Sequence, residues 1–149
     1  MPLDKTAMST RRYTDMQSPI RALLYGIAIW FVWVSMVVAS AQILPTEISG
    51  SPLFVSLQMV ALAALVLGST ILYLRKVGEA SFKEGLLVGL GWAVILIALD
   101  LAHSVIHPQM VTLDTGAYFA TVAPSYVVVP IITTLTMGYL ERRSFKPIS

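Results

Sequence analysis

Four long apolar stretches separated by short polar segments set the pattern of this chain. They run over about residues 20–44, 53–74, 85–106 and 118–140. The first is uncharged from Ala22 to Gln42, the second from Leu53 to Leu74 and the fourth from Tyr118 to Leu140. A helix rising 1.5 Å per residue crosses a hydrocarbon core of about 30 Å in about 20 residues, so each stretch is long enough to span a bilayer. Punctuation supports four helices. Ser18-Pro19 and Ser51-Pro52 are start signals, Ser81 and Glu84 have capping-box spacing, and Pro45 and Pro108 follow helix ends. The expected fold is all-α: one transmembrane domain, residues 1–149, with four transmembrane helices in an up-down bundle.

Charge placement orients the bundle. All ten Lys and Arg residues fall in the N-terminal tail or first helix start, in the segment between the second and third stretches, or after the fourth. The first loop, PTEISGSP, and the third, HPQMVTLDTGA, contain none. The positive-inside rule then predicts both termini on the cytoplasmic side, N-in/C-in, in a multi-pass protein of the cell membrane. One alternative concerns Ala39-Ser40-Ala41, which resembles a signal-peptidase site; cleavage after Ala41 would leave three spans. The preceding apolar run exceeds the usual signal-peptide length of about 7–15 residues, which favours four intact spans.

Composition narrows the function classes. Hydrophobic residues make up 56% of the chain and charged residues 12%, about half the usual share for soluble domains, so the chain must meet lipid or a large partner. With no cysteine, disulfide exchange, thiolate metal sites and thiol-based quinone chemistry are excluded. No motif names a reaction. No catalytic residue, resident metal, cofactor or nucleic-acid partner is expected, and the chain reads as a non-enzyme.

The third stretch carries the candidate chemistry. Gly85, Gly89, Ala93, Leu96, Asp100, His103 and His107 recur at intervals of three or four. At about 100° per residue they share a sector of about 80°. The small residues Gly85, Gly89 and Ala93 suit close helix packing, as do Ala64 and Gly68 in the second stretch. Asp100 and His103 are costly against hydrocarbon, roughly 2.5–3.5 kcal/mol for Asp at a helix centre, so this face should point inward. Matching depths from the outer helix ends places Gln58, Tyr126, Ser40 and Gln42 level with Asp100. The candidate polar, proton or cation site is therefore Asp100, His103, His107, Gln58 and Tyr126. Interhelical hydrogen bonding by the same residues is the plainer reading. Trp30, Trp33 and Trp92 read as packing or lipid-facing bulk, and Pro124 and Pro130 as kinks in the fourth helix.

The segments EGLLVGLGWAVILIALDLAHSV and YVVVPIITTLTMGYLERR resemble a group of uncharacterised small prokaryotic membrane proteins. The shared pattern is a Gly-rich third helix with a late Asp, followed by Tyr-x-x-x-Pro-Ile-Ile. The resemblance implies a four-helix fold and carries no activity. Small multidrug-resistance transporters share the size and helix count, but they depend on an acidic residue in the first helix, and none lies between Ala22 and Leu44. Two expectations of function follow. The first is an accessory or scaffold subunit, as a homo-oligomer or within a larger membrane complex. The second is a small oligomeric proton- or cation-coupled transporter or channel using Asp100 and His103.

Overall fold

A computed structural model describes residues 18–45, 48, 51–77, 81–106 and 115–144, with the side chains at 41, 77, 115–122 and 143–144 excepted. Among them are four helices: α1 (Pro19–Ile43), α2 (Pro52–Val77), α3 (Phe82–Ile106) and α4 (Thr115–Ser144). All four are long and apolar enough to cross a membrane. Large apolar side chains stand exposed on every one, including Phe31, Leu53, Val94 and Leu135. In water, continuous apolar exposure of this kind drives association; in hydrocarbon it meets a matching solvent.

Three helices, α2, α3 and α4, outrun the apolar stretches that announce them, because local signals set their ends, whereas α1 keeps to its stretch within one residue at each end. In α3, the Ser81 hydroxyl accepts the Glu84 backbone N–H at 3.1 Å, and the Glu141 carboxylate accepts the Phe82 N–H at 2.8 Å. These two bonds satisfy donors that an uncapped helix would leave open, so α3 starts at Phe82 rather than at Gly85. Ser51 caps α2 through the Phe54 N–H. Ser18 makes no side-chain cap; Pro19 alone begins α1. At its far end Leu44 is extended, as a residue before proline must be, and its N–H closes on the Ser40 carbonyl.

Among the described residues the backbone of each helix packs against two others around the bundle. α3 packs against α4 and α1, and α2 packs against the same two. Residue pairs give the directions. Ala22 meets Trp92 and Trp30 meets Asp100, so α1 and α3 run parallel. Gly85 meets Met137, Gly89 meets Pro130 and Asp100 meets Tyr126, so α3 and α4 run antiparallel. Arg21 donates to the Lys76 carbonyl while Gln58 donates to Ser40, so α1 and α2 run antiparallel. The core is an aromatic and aliphatic column that includes Ile29, Leu62, Tyr73, Trp92 and Met137. Tyr25, Tyr73 and Trp92 meet edge-on or tilted, with centroids 6.2–6.5 Å apart. Buried Thr70 and Thr133 satisfy their hydroxyls on the carbonyls of Val66 and Val129, one turn back.

Candidate functional site

Asp100 lies on the buried face of α3, six residues before its end. Both carboxylate oxygens are engaged. The Trp30 indole N–H of α1 donates to Oδ1 at 2.7 Å, and the Tyr126 hydroxyl of α4 donates to Oδ2 at 2.6 Å. Three helices are thus joined at one side chain. The two donors differ in what they permit. An indole nitrogen can only donate, so Oδ1 is fixed as an acceptor in either protonation state of the acid. A phenol can donate or accept, so the Tyr126 contact accommodates Oδ2 with or without a proton. The bonds are short and offset the desolvation of a carboxyl group that is 7% exposed.

The other residues singled out from the sequence distribute unevenly. Tyr126 is at the site. His103, one turn further along α3, is half-buried, with its ring edge-on to Trp30 at a centroid distance of 6.1 Å. Gln58 is not an Asp100 partner; its amide reaches the Ser40 hydroxyl at 3.5 Å, joining α2 to α1. His107 lies outside the described residues. The depth match for α1 is corrected as well: Trp30, not Ser40 or Gln42, is level with Asp100. The Trp30–Asp100 and Ala22–Trp92 bonds both span 70 positions, so one register holds along the α1/α3 pair. In that register α1 runs about 10 Å past the end of α3, which is why counting back from the helix ends selects the wrong turn.

Gly85 and Gly89 face α4. A Cβ on Gly85 would lie 2.9 Å from Met137 Cβ and 3.0 Å from the Thr133 carbonyl oxygen; one on Gly89 would lie 2.6 Å from Pro130 Cα. Ala93 is buried on the same face. Pro130 therefore has a packing role as well as removing a backbone donor, since its ring and Cα fill the space that Gly89 leaves. The small-residue face of α2 behaves differently. Ala64 is exposed, and a Cβ on Gly68 would meet nothing within 4 Å, so neither residue makes a tight helix contact among the described residues. The physical reason is orientation: α2 turns Leu62, Val66, Tyr73 and Thr70 inward and leaves the Ala64 side outward.

A second buried carboxylate sits near the start of α3. Glu84 is 6% exposed and accepts the Tyr73 hydroxyl of α2 at 2.8 Å. The capping-box spacing singles out Glu84 only as a local partner of Ser81. Its carboxylate instead ties the end of α2 to the start of α3. Trp92, read as bulk, donates to the Ala22 carbonyl at 2.6 Å. In both cases the missed signal was a donor whose buried polar atom had to find a partner.

Chemically, the Asp100 site is a carboxyl group held by two neutral donors, with an imidazole close to one of them. No Lys or Arg occurs from Glu84 to Glu141, nor from Ala22 to Leu74, so no ammonium or guanidinium group from these spans approaches it. Among the described residues, no three His, Asp or Glu side chains gather into a group that could hold a metal ion. No family model, curated protein or solved structure matches the chain.

Proposed function

We propose that this chain is a non-enzymatic, multi-pass protein of the cell membrane, with both termini cytoplasmic, that serves as an accessory or scaffold subunit. One observation carries the reading: both oxygens of the buried carboxylate at Asp100 are bound by neutral donors from two other helices. A carboxylate so held acts as a joint between helices, and polar joints of this kind stabilise bundles in lipid by about 0.6–2 kcal/mol each. The exposed Ala64 and Gly68 side of α2 is the surface on which a second copy or a larger membrane complex would pack. Assignment to the group of small prokaryotic four-helix membrane proteins that the chain resembles belongs to this proposal.

A second reading is a small oligomeric proton- or cation-coupled transporter. It is favoured by the tolerance of the Asp100–Tyr126 contact for either protonation state, with His103 against Trp30. Flux driven by a pH gradient in liposomes separates the two, comparing wild type with Asp100→Asn. The scaffold reading expects the same background leak from both proteins. A wild-type flux that Asp100→Asn abolishes, with the variant still folded, would overturn it in favour of transport.

A further inference from the structure

Away from Asp100, a groove of about 670 Å³ opens between the start of α3 and the end of α4, lined by Phe82, Thr134, Leu135, Gly138, Tyr139, Glu141 and Arg142. Its composition is graded. Leu135 and Phe82 are exposed apolar walls, Gly138 leaves room beside the Phe82 ring, and Arg142 stands exposed at the charged end. Glu141 beside it is committed to the Phe82 backbone N–H. Arg142 forms no ion pair among the described residues. On the wall lies Thr134, whose hydroxyl is the one buried side-chain polar atom among the described residues without a hydrogen-bond partner. An unmatched buried hydroxyl is unfavourable by itself and calls for an acceptor.

We propose that this groove binds an anionic phospholipid, with its phosphate on Arg142, an ester carbonyl at Thr134 and the start of one acyl chain along Leu135 and Phe82. Three features point to that class. Charge complementarity selects an anion: Arg142 stands exposed at the charged end of the groove, and Lys83 lies next to Phe82 in sequence. The apolar walls exclude a wholly hydrophilic anion. The groove lies where an apolar span passes into a basic end, the depth at which a glycerophospholipid changes from chain to headgroup. The inference is independent of Asp100 and of the choice between scaffold and transporter; it requires only that the helices cross a bilayer.

Native mass spectrometry of the full chain, released from detergent with mixed lipids, tests it. Phosphatidylglycerol should be retained in preference to phosphatidylcholine. Arg142→Gln should reduce that preference about fivefold, as expected for one basic contact near the membrane surface. Arg75→Gln, which removes a charge at the same end outside the groove, should leave it unchanged. Thr134→Val supplies a variant that keeps the shape: the lipid-free protein should melt no lower than wild type, yet hold less phosphatidylglycerol. Equal retention of the two lipids would overturn the proposal. So would an equal effect of Arg75→Gln and Arg142→Gln, which would mean diffuse charge. Competition by glycerol 3-phosphate would overturn it in favour of a headgroup site without a chain. Lipid retention appearing only after removal of residues 145–149 would overturn it too, because the chain's own tail would then fill the groove.

Discussion

Replacing Gly89 with alanine adds one methyl group where α3 and α4 are closest. The new Cβ would lie 2.6 Å from Pro130 Cα and 3.1 Å from Thr133 Cβ. Ordinary carbon contacts need about 3.5–4.0 Å, so the helices must separate by roughly 1 Å at that level. Neither neighbour yields easily, because one is backbone and the other the branch point of a buried side chain. Overpacking of this kind costs about 1–3 kcal/mol. The gain in helix propensity from Gly to Ala, about 1 kcal/mol or less, works in the opposite direction. Gly91 isolates that second contribution, since a Cβ there meets nothing within 4 Å. Gly89→Ala should therefore be less stable than Gly91→Ala by about 1–3 kcal/mol, roughly 5- to 150-fold in the folding equilibrium. Reversible unfolding in mixed detergent micelles, followed by tryptophan fluorescence, measures the difference. If the two variants agree within about 0.5 kcal/mol, the close approach of α3 to α4 is not where the contact energy lies.

Removing either donor of Asp100, by Trp30→Phe or Tyr126→Phe, should destabilise the bundle by about 1–3 kcal/mol by leaving a buried carboxylate oxygen unpaired. In a double-mutant cycle with Asp100→Asn, independent effects of Trp30 and Asp100 would argue against the joint. Tyr73→Phe should lower stability by a similar amount through Glu84; a thermal melt unchanged in the variant would mean that Glu84 is satisfied by other groups. Ser81→Ala should cost about 0.5–2 kcal/mol as a lost helix cap, and hydrogen exchange faster at the first turn of α3 than at that of α2 locates the loss. Single cysteines at Ser9, Ser49 and Ser149, in a chain that has none of its own, report orientation through an impermeant thiol reagent. Labelling from outside is expected at Ser49 alone, and external labelling at Ser9 or Ser149 would reverse the topology.

The helices were legible because each requirement is local: enough apolar length, a cap, a proline. The buried face of α3 was legible for a similar reason, since Gly85, Gly89, Ala93 and Asp100 declare one side of one helix by spacing alone. Partnerships between helices were not. Tyr126 was placed by depth, whereas Gln58 at a similar depth bonds Ser40, because depth does not say which helix stands beside which. Trp30 reads as bulk in the sequence because its indole N–H belongs to a side chain that is mostly apolar. Its pairing with Asp100 depends on the axial offset between α1 and α3, which no spacing within either helix encodes. The outward turn of Ala64 and Gly68 has the same origin: small residues on a helix say that a close approach is allowed, not that the chain itself makes it.

The joint at Asp100 also bears on the order in which the chain is built. Its two donors lie on opposite sides of it in sequence, Trp30 upstream and Tyr126 downstream. Synthesis runs from α1 to α4, so α1 already exists when α3 is made and α4 does not. Trp30 is therefore the donor at hand when the carboxyl group first meets lipid, where an unassisted Asp at a helix centre costs roughly 2.5–3.5 kcal/mol. Tyr126 completes the arrangement only as α4 arrives. Because the backbones of α1 and α4 do not pack directly against each other among the described residues, the acid acts as a template, carrying the placement of the first helix to the last through a residue that belongs to neither.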